Sequence, residues 1–172
     1  MRIIDSLAKK KLKESGFSLR GTTWYRYTPA FIHIINFQKS MWSNFYYMNI
    51  GMDINDLSEG RDNSYIPKEY QCPVRCRAED IHGAKQYLEV LNFETPLSDD
   101  DRQASLDSLI ELVLSQLEML YDKEDMRRLC KNPSMLSSWW VASTFSETLK
   151  NSAESLNTRM GTYDADLNRI GD

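Results

Sequence analysis

Apolar residues at Ile4, Leu7, Ala8 and Leu12 recur at the three-four spacing of a helix with one hydrophobic face. Lys9, Lys10, Lys11 and Lys13 fall mostly off that stripe, and Gly16 follows it, where a left-handed residue commonly ends a helix. The pattern predicts a short amphipathic helix over residues 3–15. From Phe17 to about Ile54 the period shortens to two. Segments 17–20 and 22–28 are short and rich in β-branched and aromatic residues, with Gly21 between them and Pro29-Ala30 as a turn signal. In FIHIINFQ, Phe31, His33, Ile35 and Phe37 share one face, while Ile32, Ile34, Asn36 and Gln38 share the other. Neither face is cleanly polar, which predicts a central strand covered on both sides. FYYMNIGM follows as another strand, with Gly51 marking a bulge or a close approach of backbone. Short connections join neighbours, so a meander of three antiparallel strands is the economical topology.

Residues 55–71 are polar and read as a long loop. Segments 72–78 and 86–93 are expected as further strands, with Pro73 at an edge or a strand start. The clearest element begins at Ser98, an N-cap serine before Asp99, Asp100 and Asp101, with Asp101 at the capping-box position. The three carboxylates also complement the positive end of the helix dipole. Leu106, Leu109, Ile110, Val113, Leu117, Leu120 and Tyr121 continue the stripe, and the helix is expected to run to about Cys130 before Asn132-Pro133. Beyond Pro133, serines recur, yet Met135, Trp139, Ala142, Phe145, Leu149 and Ala153 keep helical spacing, which predicts a helix over about 135–158. The fold class is therefore α+β: an antiparallel meander packed against the N-terminal helix and a long helix near 99–130, with a C-terminal helical extension. The expected organisation is an α+β domain over 1–132 and an extension over 133–172 packed on the same domain.

Four short motifs carry a family likeness: Gly16-Phe17 after the first helix, Trp24-Tyr25-Arg26, Gln38-Lys39-Ser40 at the end of a hydrophobic strand, and Asn49-Ile50-Gly51. In these the chain resembles the uncharacterised bacterial family called domain of unknown function four-three-zero-four. The order of elements matches over roughly residues 3–130. The resemblance implies an α+β fold with an antiparallel sheet. It implies no activity, only an association of such domains with bacterial toxin–immunity and defence loci.

Composition narrows the function classes. Hydrophobic residues form 41% of the 172, enough for a packed core and too many for a disordered chain. No stretch approaches the ~20 apolar residues of a membrane helix. The formal charge of −4 argues against nucleic acid as partner. It hides an asymmetry, with 13 Lys/Arg against 9 Asp/Glu in residues 1–86, hence 8 against 16 in residues 87–172. The acidic half suits a basic partner by electrostatic steering, or simply gives a solvated surface. Three cysteines without an apolar leader point to reduced thiols and a cytoplasmic location.

Cys72-x-x-x-Cys76 with His82 invites a zinc reading, but in an extended strand the two thiols stand ~13 Å apart. Buried unpaired thiols are the simpler expectation, and neither a metal nor a cofactor is expected. His33, alternating with Phe31, Ile35 and Phe37, reads as a core histidine with its hydrogen bonds satisfied. The sequence shows no Gly-rich phosphate loop, nucleophile-elbow serine or HExxH, so no catalytic residue is assigned.

The expectation that remains is a non-enzymatic protein-binding protein: a bacterial immunity protein covering the basic active-site cleft of a cognate toxin, such as a nuclease. Its acidic contacts would come from Glu111, Glu118 and Asp122 or from Asp53 and Asp56. Arg26, Gln38, Lys39, Trp42 and Trp140 are the candidate strand-borne and aromatic contacts. The alternative is a small-ligand or nucleic-acid binding module of a defence system, using Arg26, Lys39, Arg75, Arg77 and the strand aromatics.

Overall fold

The computed structural model describes residues 2–54, 67–122, 124–125, 128, 132 and 139–141. Helix α1 (Ile3–Glu14) leads into six strands: β1 (Ser18–Arg20), β2 (Thr23–Tyr27), β3 (Phe31–Lys39), β4 (Tyr46–Ile54), β5 (Val74–Arg77) and β6 (Trp140–Val141). They lie in sequence order, and every neighbouring pair is antiparallel. Between β5 and β6 comes helix α2 (Asp99–Glu118). The fold is α+β, and the expected three-strand meander grows to a six-strand sheet.

The period-two pattern sorts side chains between two faces. On the inner face, register rows run Leu19–Trp24–Ile35–Ile50–Cys76 and Arg26–His33–Met52–Val74. These side chains, apart from Arg26 and His33, join one core with Ile4, Ala8 and Leu12 of α1 and Leu106, Leu109, Ile110, Val113 and Leu117 of α2. The outer face carries a small second cluster of Tyr25, Ile32, Ile34 and Cys72. Phe31 to Phe37 of β3 are all buried, as a doubly covered central strand requires.

Gly16 ends α1 with φ +82°, and Phe17 N donates to Leu12 O (2.9 Å) across it. Gly51 serves a different need. Its φ is ordinary, but a Cβ there would lie 2.9 Å from Cys72 Sγ and 3.1 Å from the Glu69 backbone. The 3₁₀ turn Glu69–Gln71 and Cys72 therefore cross directly over β4 on the outer face. Gly51→Val is expected to lower the unfolding free energy by about 1–3 kcal/mol, because both neighbours are packed and one is backbone. Urea denaturation checks this; an unchanged midpoint would mean the crossing segment does not rest on Gly51.

Three expectations are corrected. Residues 86–93 form no strand; Ala84–Leu91 is a 3₁₀ helix. Its buried Ala84, Val90 and Leu91 and half-buried Tyr87 and Leu88 recur every third residue, the repeat of that helix. The long helix stops at Glu118 instead of near Cys130. Leu120 N turns back to Leu117 O (3.1 Å), and the Asp125 carboxylate accepts from the N–H groups of Tyr121 (2.8 Å) and Asp122 (3.0 Å). A short acidic side chain thus takes over backbone donors that the helix would have used. The apolar stripe runs across this break, which hid it. Finally, within the expected C-terminal helix, Trp140 and Val141 form a strand paired with Arg75 and Val74. Trp139 is buried in the main core. The remainder of that extension lies outside the described residues, as does Cys130.

Candidate functional site

The register of the outer face brings polar and aromatic residues into adjacent rows. Thr23, Asn36, Asn49 and Arg77 form one row; Tyr25, Ile34, Gly51, Arg75 and Trp140 form the next. Gln38 and Tyr47 pair beside them. Because Arg75 and Trp140 are cross-strand partners, the Arg75 guanidinium stacks on the indole, 4.1 Å from its centroid. Its Nη1 donates to Tyr70 O (2.6 Å). The Arg77 guanidinium stacks on Tyr47 at 5.0 Å and donates to Glu79 Oε1 (3.4 Å). Asn49 Nδ2 donates to Gln38 Oε1 (3.0 Å), and Asn36 Nδ2 donates to Thr22 O and Thr23 Oγ1 (both 3.0 Å). The 3₁₀ turn Glu69–Gln71, standing on Gly51, supplies one wall. On this face lies an open cleft of about 480 Å³ whose lining includes Gln38, Asn49, Arg75, Arg77, Tyr70 and Trp140.

Among the described residues, His33, Cys72 and Cys76 are buried in unreactive states. His33 is fully buried; its Nδ1 accepts from Arg26 Nη2 (2.9 Å), so Nε2 carries the hydrogen and donates to Leu120 O (2.7 Å). Burial first, and then the Arg26 charge, push its pKa down to about 4. This is the satisfied core histidine that the alternation predicts. Cys72 belongs to the outer cluster and Cys76 to the main core, while His82 is exposed elsewhere. Burial raises both thiol pKa values, aided by Asp53 and Glu69 at Cys72 and by Asp80 at Cys76. Both thiols are thus kept protonated and poorly nucleophilic.

Nine of the ten candidate contacts lie among the described residues, and they divide between the two sides of the molecule. Gln38 and Trp140 line the cleft, with Trp140 54% exposed. Lys39 ends β3, and Trp42 projects from the β3–β4 connection at 92% exposure beside Met41 at 86%. Asp53 lies on β4, its Oδ1 accepting from Ile54 N (2.8 Å). Arg26, Glu111, Glu118 and Asp122 belong to the helical side. Arg26 is buried there, ion-paired to Glu118, donating to Ser15 O (3.4 Å) and to His33, and stacked on Phe17. Glu111 pairs with Lys11 of α1. Asp122 Oδ1 accepts from the N–H groups of Glu124 (2.8 Å) and Asp125 (3.0 Å), starting a new helical turn. Asp56 lies outside the described residues. Arg26 and Glu118 therefore join β2 to the end of α2, and the two halves of the expected surface are separate. Tyr70 and Glu69 escaped the sequence reading of the site; the one signal for them was Gly51, whose missing side chain admits their segment.

A family model described as domain of unknown function (DUF4304) matches residues 8–119. The match runs from within α1 to just past the end of α2, so it contains Gln38, Asn49, Arg75 and Arg77 but not Trp140. Neither a curated protein nor a solved structure matches the chain.

Proposed function

The chain belongs to the DUF4304 family of domains of unknown function, and from that premise we propose that it works by binding a protein partner, as an immunity protein does when it neutralises a toxin by covering its active site. The observation that carries this reading is the stacked Arg75–Trp140 pair on an open sheet face. Arginine and tryptophan dominate the energetics of protein interfaces, and a guanidinium already stacked loses less freedom on binding. Met41 and Trp42 add an apolar tip on the neighbouring hairpin. The buried neutral imidazole and protonated thiols agree with a role that makes and breaks no bonds.

The sheet face supports this role better than the acidic helical side does. Glu118 is tied to Arg26, and Asp125 to backbone N–H groups, so both already serve the fold. Glu111 remains on the surface, where its pair with Lys11 is worth little.

Co-expression with the products of adjacent genes, followed by co-purification, tests the proposal. The expected result is a stable complex with a neighbour that is toxic when expressed alone. Arg75→Ala and Trp140→Ala should each weaken that complex by about 1–2 kcal/mol, roughly 5–30-fold in Kd. Glu111→Ala should leave it within twofold. Absence of toxicity and of a complex among the neighbours would refute the immunity reading. The alternative, a nucleotide or oligonucleotide module, draws on the same stacked arginines. A rise in melting temperature with those ligands would favour it, since binding to the native state must stabilise it.

A further inference from the structure

We infer that the outer-face cleft is a recognition site for a single carboxylate carried on a peptide-like segment, the side chain of an aspartate or glutamate in the partner. This deepens the binding role proposed above and rests on it. Three features select the ligand. First, Arg75 and Arg77 are two residues apart on one face of β5, about 7 Å along the strand. Each is held flat by an aromatic ring, Trp140 and Tyr47 respectively. A guanidinium so fixed presents its remaining N–H donors in the planar fork that matches a carboxylate. Second, the Gln38–Asn49 amide pair lies in the same cleft. Only one donor–acceptor link is made within that pair among the described residues, leaving the Gln38 amide N–H₂ and Asn49 Oδ1 to meet the N–H and C=O groups of a peptide.

Third, Glu69, Glu79 and Asp80 also line the cleft. Asp80 Oδ2 accepts from the Arg77 backbone N–H (3.2 Å), and Glu79 Oε1 accepts from the Arg77 guanidinium (3.4 Å), so Glu79 is the carboxylate paired with that cation. With two cations and three carboxylates in one cleft, a polyphosphate or nucleic-acid backbone is opposed far more strongly than a single carboxylate, and Arg75, engaged by the Tyr70 carbonyl and the Trp140 ring, is the cation placed to meet one negative charge. That charge balance discriminates by ligand charge, favouring a single carboxylate over phosphate-rich ligands. The volume of about 480 Å³ suits one amino-acid side chain and its flanking peptide groups.

The test is nuclear magnetic resonance of the full ¹⁵N-labelled chain, which reads millimolar binding. The probes are N-acetyl-glutamate amide, its glutamine counterpart, inorganic pyrophosphate and a short single-stranded oligonucleotide. The expected result is saturable shifts of the Gln38 and Asn49 side-chain amides and the Trp140 indole N–H with the glutamate probe alone. Arg75→Gln should weaken that response at least tenfold while keeping the dispersed spectrum of the folded chain, and Arg75→Lys should recover it only in part. Equal shifts with the glutamine probe, larger shifts with pyrophosphate or oligonucleotide, or an undiminished response in Arg75→Gln would each overturn the inference. So would a silent spectrum with the glutamate probe. A partner that co-purifies equally well with Arg75→Gln sinks the carboxylate site and leaves the protein-binding role standing. A positive spectrum with no partner among the neighbouring genes sinks the immunity reading and leaves the site.

Discussion

Replacing Trp24 by alanine is expected to remove about 3–5 kcal/mol of unfolding free energy. The side chain is wholly buried at the centre of the inner face, in the row Leu19–Trp24–Ile35–Ile50–Cys76. Its loss leaves a cavity where the sheet meets the core shared with α1. The indole has a second task. Trp24 Nε1 donates to Asp5 Oδ1 (3.3 Å), and Asp5 is itself buried, held by Arg2 Nε (2.7 Å) and Nη2 (3.0 Å). Arg2 also donates to the backbone carbonyls of Thr22 and Phe37, so this cluster clamps the start of α1 to β3 and the β1–β2 turn. Trp24→Phe keeps most of the apolar volume and loses the N–H donor together with a smaller part of the ring. Arg2 still neutralises Asp5, so this variant should cost about 1–2 kcal/mol. Urea denaturation of the three proteins with an unchanged m value measures both steps. A loss below 1 kcal/mol for the alanine variant would show that α1 does not dock on the sheet in this way.

Acid should destabilise the protein through one imidazole. His33 in the folded chain takes its second proton only near pH 4, against an ordinary value of 6.5. Between those values the unfolded chain binds more protons, so unfolding becomes easier as pH falls. The contribution of His33 is complete above pH 6.5 and is lost as pH falls to about 4, amounting to roughly 3 kcal/mol. The cause is physical and local. A proton on Nδ1 would remove the acceptor that Arg26 uses and place a second cation against the guanidinium in a site closed to water. In His33→Gln, the amide N–H₂ replaces the donor to Leu120 O and the amide oxygen the acceptor for Arg26, without a titrating group. Stability measured from pH 7 to pH 4 should fall about 3 kcal/mol further in the parent than in this variant, carboxylates contributing equally to both. Parallel profiles would show that His33 is not the sensor.

The same residues explain what was readable in advance. The alternation at Phe31, His33, Ile35 and Phe37 announced a buried histidine, because strand geometry alone puts those four on one side. Its partners were not announced, since Arg26 comes from β2 and the Leu120 carbonyl from beyond α2. Ser98 was legible as a cap because an N-cap is a contact between residues three apart: its Oγ accepts from Asp101 N (3.1 Å). Arg102, one residue on, is buried and donates to the carbonyls of Val90 (2.7 Å), Asn92 (3.1 Å) and Thr95 (2.8 Å), with its guanidinium over Phe93. Nothing near it in the chain distinguishes it from a surface arginine. The candidate site divides in the same way. Gln38, Asn49, Arg75 and Arg77 stand out as polar residues on strands, but the value of Arg75 depends on Trp140, 65 positions away, whose helical spacing pointed to a different structure.

By itself the sequence determined the two helix starts, the β2–β3–β4 alternation, the glycine ends and the burial of one histidine, all consequences of periods and contacts within a few residues. The tertiary structure alone decided where α2 breaks, which arginines lie inside, and that β6 closes the sheet beside Arg75. Those outcomes depend on hydrogen bonds and stacking between segments far apart in the chain. Such partners are chosen by the free energy of the whole packed arrangement, to which local propensity contributes only a small part.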